Sequence, residues 1–190
     1  MITTLLIQTQ KQQDAGIKKD AQYVIDVTWP KDLNCDVDMW IRDPNGKIAS
    51  FKSKDVGVMH IERDDRGWTE DTIYDMLFGN IKKKEEEINR LPNAETWVLR
   101  GKQPGEYNFN VHLYACKVDE RSLGLGDSIQ VPVQIKIRRL NPTIQDVFER
   151  EVILEKIWDE KVVVNFKIKN DNTFDPTVDY VFHDLVRETP

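Results

Sequence analysis

Cys35-Asp36-Val37-Asp38-Met39-Trp40-Ile41-Arg42-Asp43-Pro44-Asn45-Gly46 is the stretch on which the reading of this chain turns. Apolar Cys35, Val37, Met39 and Ile41 alternate with Asp36, Asp38, Trp40 and Arg42, a period of two that predicts a strand with one buried face. The four residues that follow supply an aspartate acceptor, a proline with fixed φ and a glycine able to take positive φ. A chain reversal into the segment from Lys47 to Phe51 is therefore expected.

The same period recurs in both directions. Tyr23, Ile25 and Val27 precede it; Tyr107, Phe109, Val111, Leu113 and Ala115 share one face further on, and Ile129 to Ile137 and Val162 to Ile168 repeat the pattern. Shorter strands are expected at Val58 to Glu62 and at Thr96 to Leu99. Pro132 places its strand at a sheet edge or on a bulge, because proline donates no ladder hydrogen bond. Phe148, Val152 and Leu154 alternate as well, which predicts a hairpin turning at Trp158-Asp159-Glu160-Lys161.

One segment breaks the pattern. Lys82-Lys83-Lys84-Glu85-Glu86-Glu87, inside the stretch from Thr72 to Arg90, reads as a charged helical or loop excursion whose ordinary role is solvation. Eight or so short strands without βαβ crossovers predict an all-β fold, an antiparallel β-sandwich, with a barrel as the second architecture. The expected organisation is an amino-terminal strand or docking arm over 1–18, a sandwich core over 19–140, and a carboxy-terminal hairpin and extension over 141–190.

Composition narrows the function. The 190 residues carry 27 Lys and Arg against 33 Asp and Glu, a net charge of −6, so coating of nucleic acid is not expected. No apolar run approaches the roughly 18 to 20 residues of a membrane-spanning helix. Met1 to Ile7 is apolar, but no basic flank or cleavage pattern makes it an export signal. Cys35 and Cys116 form no CxxC pair; two buried reduced thiols are expected, with one tertiary disulfide as the alternative.

Asp36 and Asp38 project to the same side of a strand, and Asp43 begins the turn. Their like charges call for water, a cationic side chain or a hard ion such as Ca²⁺, with Asp64 or Asp65 joining from another loop. Solvated or paired acids are the plainer reading. The same carboxylates are the residue types of a hydrolase, but no nucleophile elbow, phosphate loop or dinucleotide motif is present, and His60, His112 and His183 lack metal-ligand spacing. Trp40, opposite the apolar series, and Trp68, after the turn at Asp64 to Gly67, are candidate contact residues for protein or glycan; packing within a second layer is the competing reading.

The acidic strand and its Asp-Pro-Asn-Gly turn, Glu62-Arg63-Asp64-Asp65-Arg66-Gly67-Trp68, and Pro104-Gly105-Glu106-Tyr107-Asn108-Phe109-Asn110-Val111 together resemble the bacterial YfaP-like DUF2135 β-sandwich family and related pre-peptidase C-terminal domains, over residues 20–116. The resemblance implies a sandwich used for accessory or adhesive contacts rather than catalysis, and similar sandwiches serve as bacteriophage structural components. The expectation is a non-enzymatic structural or assembly protein of a tailed-bacteriophage virion, produced in the host cytoplasm. Its expected partners are other virion proteins or copies of itself. Ile2, Leu5, Leu6 and Ile7 at one end and Tyr180 and Phe182 at the other are candidate contacts, free to pair between subunits or within one. A calcium-assisted carbohydrate- or protein-binding module is the alternative.

Overall fold

The acidic stretch is a strand in the computed structural model of the chain, which describes residues 21–65, 93–118, 121–175 and 177–188. In chain order the elements are β1 (Ala21–Trp29), β2 (Asn34–Arg42), β3 (Ile48–Ala49), β4 (Asp55–Val56), β5 (Met59–Arg63), β6 (Asn93–Arg100), β7 (Gly105–Val118), β8 (Arg121–Ser122), β9 (Ser128–Arg139), β10 (Gln145–Lys156), β11 (Glu160–Ile168) and a short helix α1 (Leu185–Glu188). The charged excursion expected within 72–90 and the arm over 1–18 lie outside the described residues.

The strands form two antiparallel sheets, one ordered β10-β9-β1-β6-β5-β4 and the other β11-β7-β2-β3, with β8 paired to β7. Their inner faces carry the period-two residues read from sequence. Tyr23, Ile25 and Val27 of β1, Val37, Met39 and Ile41 of β2, and Phe109, Val111 and Leu113 of β7 belong to one buried cluster. Removing side chains of this size from water stabilises the fold by about 1.5–3 kcal/mol each. Pro132 sits on β9 opposite Ile153, beyond the point where β9 pairs with β1, so β9 has a neighbour on one side there and the missing N–H breaks no inner ladder.

Chain crossings between the sheets are tied down by side chains. Asn93 Nδ2 donates to the carbonyls of Pro30 and Leu33 at 2.8 Å each, fixing the turn from β1 to β2. β10 pairs with β9 and β11 with β7, so the carboxy-terminal hairpin expected at Trp158 to Lys161 is corrected: the turn there carries the chain from one sheet to the other, and Arg150 Nη1 donates across the crossing to the Val163 carbonyl at 2.5 Å. Residues on both sides of position 140 share the core, since Leu154, Val164 and Phe166 join the cluster that holds Val131 and Ile137. The boundary expected at 140 thus falls in a turn between two hydrogen-bonded strands.

One departure from strict alternation joins the two cysteines. Asp36 faces Ala115 but Val37 faces Leu113, so Tyr114 is an extra residue on β7, a β-bulge. The bulge turns Cys116 inward, where Ala115 had been expected. It brings Cys116 opposite Cys35 with 4.0 Å between the Cα atoms, and the two form a disulfide. The expectation of two reduced thiols is therefore corrected.

The Asp-Pro-Asn-Gly reversal forms as read. Asp43 Oδ1 accepts from the Asn45 and Lys47 amides at 2.9 and 2.8 Å, and Gly46 takes φ +80°. Gly105 meets this turn from β7. A Cβ there would lie 2.5 Å from Pro44 Cβ, and φ is +135°, so both space and backbone require glycine. Two of the sequence blocks that carry the family resemblance thus pack against each other.

After β11 the chain does not leave the domain. Phe174 stacks on Phe166 with 5.3 Å between ring centroids, Asp179 bridges to Asn165, and Leu185 of α1 is fully buried. This carboxy-terminal strap first pairs along the edge of β11 and then crosses the outer face of the β11-β7-β2-β3 sheet, where Asn110 Nδ2 donates to the His183 carbonyl at 2.6 Å.

Candidate functional site

The five aspartates expected as calcium ligands are divided among separate tasks. Asp43 closes its own turn and accepts from Gln103 Nε2 at 2.9 Å. Asp64 pairs with Lys54 at 2.7 Å, and Asp65 accepts from Arg63 at 2.9 Å and from the Ala94 amide at 3.0 Å. Asp36 and Asp38 lie on β2 opposite Ala115 and His112. Among the described residues no group of three or more His, Cys, Asp or Glu is gathered closely enough to hold an ion.

Sequence reading passed over a more unusual carboxyl. Glu95 on β6 is 1% exposed, and it points between the sheets instead of away from them. Its Oε2 accepts from the Met39 amide at 2.7 Å and its Oε1 from the Trp97 indole at 3.2 Å. Met39 lies on β2 beyond its pairing with β3, so the carboxyl occupies a strand edge that no described strand pairs. Burial pushes the Glu95 carboxyl well above the ordinary glutamate range, and the charges of Asp38 and Asp64 add to the rise.

The outer face of the β11-β7-β2-β3 sheet holds the second concentration of chemistry. Trp40 meets Phe51 edge-on at 5.9 Å, Phe51 approaches Tyr114 at 6.2 Å, and Tyr114 approaches Trp158 at 6.0 Å. Trp158 stands perpendicular to His112 at 5.4 Å. His112 and Asp38 face each other across β7 and β2, with His112 Nδ1 3.6 Å from Asp38 Oδ2. Beside this row a cleft of about 550 Å³ opens between the β10–β11 turn and the strap. Glu160 at its wall accepts from Asn110 Nδ2 and the Leu185 amide, and burial raises its carboxyl above the usual range.

The expected contact residues separate on this face. Trp40 is 1% exposed beneath Phe51, so the packing reading holds and its role as a surface contact is corrected. Phe51, on the turn after β3, adds a second side-chain layer over β2, which buries a residue that alternation alone places at the surface. Tyr180 and Phe182 are each about half exposed on the strap, with the Arg150 guanidinium 4.2 Å over the Tyr180 ring. Trp68, Ile2, Leu5, Leu6 and Ile7 lie outside the described residues. Trp158, Tyr114 and Glu95 were missed. For Trp158 a signal existed: a tryptophan stands in an expected hairpin turn, where glycine or asparagine is the ordinary choice.

No family model, no curated protein and no solved structure matches this chain.

Proposed function

We propose that the protein is a non-catalytic structural or assembly component of a tailed-bacteriophage virion, and that it works by contact with other virion proteins or with further copies of itself. The observation that carries this reading is the strap. Tyr180, Val181 and Phe182 are 49%, 61% and 52% exposed. Their backbone is nonetheless held: Asn165 Nδ2 donates to the Val181 carbonyl at 2.8 Å, and the Val181 amide donates to Asp179 Oδ1 at 3.0 Å. Three consecutive apolar side chains presented on fixed backbone lose little further entropy when a partner covers them.

Two further features support the setting. The sequence blocks Asp36 to Gly46, Glu62 to Trp68 and Pro104 to Val111 carry the resemblance that implies such a setting. The Cys35–Cys116 disulfide suits a particle that is released from the reducing cell interior into an oxidising medium. Mass spectrometry of density-banded particles from cells that make the protein tests the proposal. The chain should appear at a fixed copy number per particle, and Val181→Asp should lower that number. Particles that lack the chain refute it.

A further inference from the structure

We propose that the cleft between the β10–β11 turn and the strap is a binding site for neutral carbohydrate, with the Trp158 ring as its stacking platform. The inference concerns the isolated protein and is independent of the particle setting. It begins with a backbone outlier: Trp158 has φ +71°, a left-handed conformation that bulky side chains avoid. The residue is 51% exposed, so burial does not offset the strain. A strained, half-exposed tryptophan in a tight turn is an arrangement better accounted for by what the ring meets than by what it packs on.

The surroundings point to the class of ligand. His112, 2% exposed, lines the cleft, and neither of its ring nitrogens has a hydrogen-bond partner among the described residues. It holds the Trp158 ring perpendicular at 5.4 Å, and Tyr114 supports the ring from the side. The platform is therefore pre-oriented. Lys156 and Arg187 bring donors to the cleft, Asp159 and Asp184 bring acceptors, and Phe182 forms an apolar wall. A sugar offers a C–H face for the rings and a girdle of hydroxyls that both donate and accept, which matches this alternation of apolar and polar groups.

Competing occupants fit less well. An apolar protein side chain would take Lys156, Arg187 and Asp184 out of water without returning hydrogen bonds. An anionic glycan would meet three lining acids, Asp159, Glu160 and Asp184, on a chain of net charge −6.

A glycan array followed by titration of the protein's indole fluorescence tests the proposal, with Trp158→Gly as the paired variant. Glycine is free to take the left-handed conformation, so the variant should melt at the same temperature or higher. Neutral oligosaccharides should bind the native chain, and Trp158→Gly should weaken that binding at least tenfold. Phe182→Ser, on the opposite wall, should weaken it as well and serves as the second variant if the glycine protein does not fold. An array silent for neutral glycans overturns the proposal, as does affinity within twofold of native in the folded variants, or preference for sialylated over neutral sugars. If the array is silent while Trp158→Gly abolishes particle association, the cleft docks protein and the carbohydrate assignment falls.

Discussion

Replacing Cys35 and Cys116 together with alanine removes a crosslink between facing strands of one sheet. The two cysteines are 81 residues apart in sequence. Loop-closure entropy for a crosslink of that span amounts to about 4.5 kcal/mol at 25 °C, and native disulfides contribute about 2–5 kcal/mol in practice. Unfolding entropy of about 2.1 cal/mol/K per residue gives roughly 0.4 kcal/mol/K for a chain of this length, so the melting temperature should fall by about 5–12 °C. Differential scanning calorimetry of the native and double-alanine proteins measures this, with native protein under dithiothreitol as a parallel arm. Thiol titration in denaturant without reductant should find no free cysteine in the native chain. Two reactive thiols, or a melting temperature within 2 °C of native after their removal, would refute the reasoning.

Three further perturbations follow from the packing. Gly105→Ala drives a methyl into Pro44 at a backbone angle that favours glycine, and should cost about 2–4 kcal/mol in a urea titration, whereas Gly46→Ala, whose Cβ meets nothing within 4 Å, should cost less. Asp43→Ala strips the acceptor from the Asn45 and Lys47 amides and from Gln103, and should cost about 2–3 kcal/mol by the same assay. For Glu95, the folded carboxyl keeps its proton to higher pH than the unfolded one, so the native state binds more protons. Stability must then fall as pH rises from the ordinary glutamate pKa of about 4.3 toward the raised folded value, by at most ~1.4 kcal/mol per pH unit. A urea series from pH 4 to 8 should show native stability declining relative to Glu95→Gln; a constant difference between the two would contradict the sign.

The sandwich was legible because burial in a two-sheet core enforces a period of two, and β2, β1 from Tyr23 and β9 from Val131 keep that period, whereas β11 inserts Val163 as an extra buried residue between Val162 and Val164. What alternation hides is its own interruption. Leu113 and Ala115 read as neighbours on one face, which sends Cys116 to the other and separates it from Cys35. One bulge residue, Tyr114, reverses this, and bulges leave no mark in apolar patterning. The same limit applies to the strap. Its residues are mostly polar and irregular, so nothing in their periodicity tells that Phe174 docks against Phe166 and the core or that the His183 carbonyl and Leu185 cover Asn110 on the outer face.

The acids show the converse problem. Spacing places Asp43 at a turn and Asp36 and Asp38 on one side of β2, but two of the partners that occupy the acids, Gln103 for Asp43 and the Ala94 amide for Asp65, come from elements distant in sequence, whereas Lys54 and Arg63 pair locally with Asp64 and Asp65. Glu95 was invisible for a related reason. It stands at an inward position among Asn93, Trp97 and Leu99, where a carboxylate is not expected, and only the edge of β2 that no described strand pairs explains its presence.

A reconstruction of the purified particle tests the central claim most directly. The account predicts density for a two-sheet body of this shape, with Tyr180, Val181 and Phe182 covered by a neighbouring subunit. Particles without that density, or with those three side chains facing solvent in every copy, would contradict it.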